Sequence, residues 1–140
     1  MIESFQGREY SAHYLGFFDC FNRQLFYEAH DVLEDLWLPD KKGPNGDFYK
    51  GLIQLAGAFV HLQKNRLRPA SALFKLTRAN LVKYPVAHEG LALEEIAQLI
   101  EAWLKALEAG GFVVNPLNTM ATPQLNPEIS TQSPALLIKS

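Results

Sequence analysis

The chain has 140 residues, 48% of them hydrophobic and 20% charged, a composition that can bury a core without metal or disulfide staples and is not that of a disordered chain. Its formal net charge of −2 offers no basic footprint for nucleic acid and no polybasic patch for an anionic membrane. The lone Cys20 excludes an internal disulfide and, within FFDCFN, reads as a small buried hydrophobe.

The opening MIESFQGREY lacks the basic start and apolar core of a secretory signal. The longest apolar run, around residues 52–62, falls short of the roughly 20 residues needed to span a bilayer. A cytoplasmic protein is therefore expected, with no nucleic-acid and no membrane partner.

Helical periodicity dominates the pattern. EYSAHYLGFFDCFN brings Tyr10, Tyr14, Phe17 and Phe21 to helical intervals, which predicts a first helix. Residues 22–24 suit a turn, and a second helix is predicted from about Leu25 to Leu38, with Leu25, Ala29, Val32, Leu33 and Leu36 on one face. LPDKKGPNGD is a surface loop, and Asp47 is the expected N-cap of a third helix, FYKGLIQLAGAFVHLQK. That helix is apolar over nearly its whole circumference and should be the buried central element. A fourth helix is predicted from near Pro69 to Pro85, and a fifth over about 93–109, stopping at Gly110-Gly111. After Phe112 prolines recur without a period. The prediction is an all-α bundle of about five helices over residues 1–111, with an antiparallel helix pair at its centre. Residues 112–140 form an extended tail, partly docked through residues such as Val113, Leu117 and Ile129, with its last ten residues disordered.

The polar residues are more informative than the core. On helix two, Arg23, Tyr27, His30 and Glu34 recur at steps of four, three and four, and Trp37 borders the stripe. On helix three, Lys50, Gln54, Gly57 and His61 do the same. A short loop favours antiparallel neighbours, and counting outward from it sets His30 opposite Gln54 or Ala58 and brings Tyr27 or Arg23 near His61. Three chemistries fit such a seam. It can be a buried hydrogen-bond network that fixes helix register. It can be a metal site, with His30 and Glu34 at i, i+4 and His61 from the facing helix, a two-histidine, one-carboxylate set of the kind that activates water. It can also be a metal-free small-molecule site in which Lys50 or Arg23 holds an anion. Glu28 lies about 160° around the helix from His30. Asp31 and Asp35 read as surface charges, and His88, in the connection YPVAHEG, as an exposed residue. Glycine-rich nucleotide loops, paired-cysteine motifs and nucleophile elbows are absent from the sequence.

The segment FNRQLFYEAHDVLEDLW followed by GLIQLAGAFVH resembles the domain of unknown function 309 family, small helical proteins labelled predicted metal-dependent hydrolases. Phe21, Asn22, Phe26, Tyr27, Glu28, His30, Glu34 and Trp37 match the first part of its pattern, and Gly51, Leu52, Ile53, Gln54, Ala58 and His61 the second. The resemblance covers about residues 21–84. Two positions depart from it. Gln24 stands where the family has glycine, which predicts an altered or strained turn, and Lys50 stands where it has glutamine, placing a cation beside Glu34.

The resemblance makes Glu28 part of the motif. The resulting expectation is a metal-dependent hydrolase acting on a small substrate. His30, Glu34 and His61 would hold a divalent ion (zinc, manganese, iron or nickel), Gln54 would orient the ligands or substrate, and Glu28 would be the general base. The alternative from a different class is a non-catalytic interaction or structural module, such as a homo-oligomer, whose His/Glu/Gln seam is a buried network.

Overall fold

The computed structural model describes residues 10–128. Five α-helices run in chain order, α1 Ala12–Asn22, α2 Phe26–Trp37, α3 Gly46–Gln63, α4 Leu67–Leu81 and α5 Leu93–Ala109, with a two-residue hairpin, β1 Ala87–His88 and β2 Leu91–Ala92, before α5. This is an all-α bundle. Its only sheet among the described residues is the hairpin, which helical periodicity does not announce. The predicted disorder of the last ten residues, and the docking of Ile129, lie outside the described residues.

Helix ends follow local chemistry. Ser11 caps α1, its Oγ accepting the Tyr14 N–H at 3.1 Å. At the other end Leu25 N–H bonds Cys20 O and Gln24 N–H bonds Phe21 O, each at 2.9 Å. This is a Schellman cap with Gln24 in its left-handed position, at φ +64°. Gln24 thus holds a glycine-type conformation with a side chain attached, which is the strained turn expected from the sequence.

Arg23 belongs to this cap and pairs with Asp19 at 3.4 Å. It is therefore not on the α2 stripe where spacing alone places it. The same cap ends α3, where Arg66 N–H bonds His61 O at 2.8 Å and Asn65 takes φ +57°.

The N-terminus of α3 also differs from expectation. Its N-cap is Asn45, two residues before the expected Asp47. Asn45 makes no capping bond, because its side chain is committed to the hairpin: Nδ2 donates to Glu89 Oε2 at 2.8 Å and Oδ1 accepts from His88 Nε2 at 2.7 Å. The hydroxyl of Tyr84 substitutes for the cap, accepting the Phe48 N–H and donating to Pro44 O, both at 2.9 Å. His88 is consequently half-buried rather than exposed, its ring against Phe48 and Tyr84 with centroids 4.8 Å away in each case. Asp47, in the first turn, pairs with Lys83 at 2.8 Å.

The core is aromatic. Phe21, Phe26, Phe59, Phe74 and Trp103 are almost wholly buried and form a chain of ring contacts centred on Phe59, with centroids 4.9–5.6 Å apart. As expected, α3 is the central element, with α2 on one side and α4 on the other. Both neighbours are antiparallel to it: Gly51, Gln54 and Gly57 meet Leu81, Asn80 and Leu73 in turn, and Tyr27 and His30 near the start of α2 meet Val60 and His61 near the end of α3.

Glycine lets α4 approach closely. A Cβ on Gly51 would stand 2.9 Å from Leu81 Cδ2, and the buried Thr77 hydroxyl donates to Gly51 O at 3.1 Å.

The segment after α5 stays on the bundle. Asn115 Nδ2 donates to Leu62 O at 2.6 Å, adding a side-chain donor to a carbonyl at the end of α3 that also accepts the Asn65 N–H at 3.0 Å. Farther on, Asn22 clamps the backbone of buried Leu125, accepting its N–H at 2.7 Å and donating to its carbonyl at 2.9 Å. Asn22 is one of the motif residues, and its structural role here is to hold this segment. No helix among the described residues is long and apolar enough to cross a membrane.

Candidate functional site

On α2, the imidazole of His30 and the carboxylates of Asp31 and Glu34 come together. One ligand atom from each lies within 4.8 Å of the others, and His30 Nδ1 stands 3.4 Å from Asp31 Oδ1. His30 and Glu34 are half-buried and Asp31 is exposed. The i, i+4 spacing explains why His30 and Glu34 share a face. Asp31 has the exposure expected of a surface charge, yet its carboxylate reaches back to the histidine.

His30 also faces α3. With Tyr27 it lines one wall of a small cleft whose other residues are Gly57, Val60, His61 and Leu73, enclosing ≈ 180 Å³. Gly57 keeps the cleft open, since a Cβ there would stand 3.2 Å from Leu73 Cδ1. His61, half-buried in this wall, is held below its ordinary pKa by burial, with the positive charges of Arg66 and Lys64 adding to the effect. Its Nδ1 is buried and has no hydrogen-bond partner.

The facing register follows the count for Tyr27, which lines the cleft with His61, and for His30 it favours the Ala58 level over that of Gln54. His30 lies at the level of Gly57 and His61, about one turn farther along α3 than Gln54. A 3-10 turn at Leu38–Asp40 extends α2 before the chain reverses, so α3 starts higher and presents later residues to His30. Gln54 turns the other way, its Oε1 accepting from Asn80 Nδ2 of α4 at 2.8 Å. Among the described residues no hydrogen bond joins His30 or Glu34 to Gln54 or His61, and Lys50 forms no ion pair with Glu34. The cation that does sit beside the motif is Lys41, 5.3 Å from the centre of the Trp37 ring.

Glu28 is exposed and sits in the first turn of α2, where the helix dipole favours a carboxylate. Its charge acts toward α1. The Cys20 thiol there is raised above its ordinary pKa by burial, and the carboxylates of Asp19 and Glu28 add to the rise. The structure therefore brings His30 and Glu34 together, adds Asp31, sets His61 across a cleft from His30, and leaves Gln54 and Glu28 on other sides.

A family model described as a domain of unknown function, DUF309, matches residues 14–73. Over this segment the chain is similar to the DUF309 family. The match runs from the first buried tyrosine of α1 to Leu73 of α4, so the matched segment contains both walls of the cleft and every residue of the His30 cluster. The hairpin, α5 and the docked tail lie beyond it. No curated protein and no solved structure matches the chain.

Proposed function

We propose that this DUF309-like segment binds a divalent metal ion through His30, Asp31 and Glu34 and uses it to hydrolyse a small substrate whose apolar part enters the neighbouring cleft. The convergence of these three donors carries the reading. Two ligands each about 2.1 Å from a tetrahedral ion stand about 3.4 Å apart, and His30 Nδ1 and Asp31 Oδ1 have that separation. Glu34 closes the set by a side-chain rotation available to a residue at the helix surface. One imidazole and two carboxylates suit zinc, manganese or iron better than a soft cation. A bound ion of this kind, with a coordination position left open, lowers the pKa of water and polarises a carbonyl or phosphoryl oxygen.

The chain's own residues supply the remainder. Tyr27, Gly57, Val60 and Leu73 give the cleft, a space sized for a few heavy atoms, a largely apolar lining. His61, biased toward its neutral form, is a proton acceptor within the same cleft. This gives His61 the base role that the motif resemblance assigns to Glu28, which faces α1. The hydrolytic reading is favoured over a buried network because, among the described residues, no hydrogen bond joins the two stripes.

The test is metal titration of the purified, tag-free protein by calorimetry, using zinc and manganese, followed by assay of the loaded protein against a panel of activated carboxylic and phosphoric esters. One equivalent of metal should bind to the native chain and be lost in His30→Ala/Glu34→Gln. Ester turnover should need both the metal and His61. A folded protein that takes up no metal, or takes it up equally well with both residues replaced, would sink the proposal.

A further inference from the structure

We propose that an apolar groove between α4 and α5 is the docking site for residues 134–138 of this same chain, Pro-Ala-Leu-Leu-Ile. The groove encloses ≈ 410 Å³ where the end of α4 and the following link run beside the first turns of α5. Leu81, Leu93, Ala97 and Ile100 line it, and Val82 and Val86 stand along it 77% and 71% exposed. Contiguous apolar surface of this kind marks a contact site. It shares no residue with the cleft at His30, so it is independent of the metal reading.

Three observations select the occupant. The first is where the described chain stops. Glu128 N–H bonds Gly90 O at 2.7 Å, which fixes this end of the chain to the turn of the β-hairpin. The base of that hairpin is the groove: Leu93 N–H bonds Val86 O at 2.7 Å, and both residues line it. Leu93 is three residue steps from Gly90 along β2, about 10 Å.

The second is length. Residues 129–133 can span up to about 17 Å, and all of 129–140 up to about 40 Å, so the apolar stretch reaches the groove without displacing any described contact.

The third is chemistry. Residues 130–133, Ser-Thr-Gln-Ser, are polar, residues 134–138 are entirely apolar, and Lys139 follows. The groove matches this order with an apolar bed and a carboxylate at its edge. Glu94 lines it and has no ion pair among the described residues, whereas Arg78, also on the rim, is already joined to Glu101. Lys139 is the natural partner of Glu94. Pro134 opens the stretch and disfavours helix for the residue before it, which suits entry into a groove in extended form.

Hydrogen exchange read by mass spectrometry tests the proposal on three proteins: the full chain, a chain ending at Glu128, and full-length Leu137→Asp. Circular dichroism verifies that the Leu137→Asp variant keeps the helical fold. In the full chain, amides of residues 135–138 should exchange more slowly than in a free peptide of the same sequence. Exchange over residues 82–86 should quicken by roughly tenfold or more in both altered proteins. Addition of a synthetic 129–140 peptide to the shortened chain should restore protection, and Glu94→Lys should weaken that rescue. Peptide-like exchange of 135–138 in the full chain would overturn the assignment. So would protection of 82–86 that survives truncation and grows with protein concentration, since a second copy would then be the occupant.

Discussion

His30 Nδ1 lies 3.4 Å from Oδ1 of Asp31, the residue beside it in the chain. Neighbours on a helix point about 100° apart, so this approach requires the aspartate to fold back along the helix surface. The separation is at the long limit of a hydrogen bond and at the spacing of two ligands on one ion. If Asp31 is a ligand, Asp31→Asn should weaken zinc affinity by at least about tenfold while leaving thermal stability of the metal-free protein unchanged. A calorimetric titration of the variant beside Asp35→Asn decides it. Asp35 is also an exposed α2 carboxylate but pairs with His13 at 3.9 Å, so its replacement should leave affinity intact. Equal affinities in both variants would return Asp31 to the surface charge that its sequence position suggests.

Much of this arrangement is legible in the amino-acid sequence. Periodicity locates the five helices and names α3 as central, because a helix apolar all round has only one stable place in a small bundle. It also puts His30 and Glu34 on one face. Partner choice is not legible. Gln54 and His61 share a stripe on α3, yet Gln54 bonds α4 and His61 lines the cleft beside α2. A fully buried helix touches neighbours on both sides, and 100° steps do not say which neighbour receives a given residue. Gly51 decides for Gln54, because its missing Cβ lets Leu81 and Asn80 close in. Asp31 escapes for a related reason: spacing describes where side chains leave the helix, and a short carboxylate can turn back.

Gln24 offers a test of the turn that introduces the motif. It holds φ +64° in the cap of α1, a conformation that costs a non-glycine residue roughly 1–2 kcal/mol, partly offset by the greater chain entropy that glycine loses on folding. Gln24 is exposed and contributes its backbone carbonyl, not its side chain, to the bond from Gln63 Nε2 at 3.2 Å. Gln24→Gly should therefore stabilise the protein by about 0.5–1 kcal/mol, readable as a melting temperature raised by about 2–4 °C. A lower melting temperature would mean that the glutamine side chain makes a compensating contact.

His61 makes stability depend on pH with a definite sign. Its folded pKa lies below the ordinary histidine value because burial, then Arg66 and Lys64, disfavour the charged ring. Between the folded value and the unfolded value near 6.5, the unfolded chain holds more protons. Stability is therefore full above the unfolded pKa and falls as pH drops through that value toward the folded one. Urea unfolding measured from pH 7.5 to 5.0 should show this decline, and His61→Gln should make it shallower by at most about one proton's worth of slope. An unchanged slope in the variant would assign the decline to other groups and would weaken the case for His61 as a neutral base.

Asn22 couples the motif to the end of the described chain. Its amide both accepts from and donates to Leu125, and Gln124 Nε2 bonds its carbonyl at 3.0 Å. Asn22→Ala leaves the Leu125 N–H and C=O without partners, and Leu125 is buried, so the loss should be about 1–3 kcal/mol. The segment can respond by lifting off, which would let water satisfy both groups at the expense of Leu125 burial. Exchange of the Leu125 amide distinguishes the outcomes: faster exchange with an unchanged bundle means release, whereas a cooperative fall in stability means that the segment is integral to the core. Asn22→Asp separates the two bonds, since a carboxylate still accepts from the Leu125 N–H but faces its carbonyl with like partial charge. It should loosen the segment about as much as alanine does if the donated bond matters. Near-native exchange in Asn22→Asp would show instead that the accepted bond at 2.7 Å is sufficient to hold Leu125 in place.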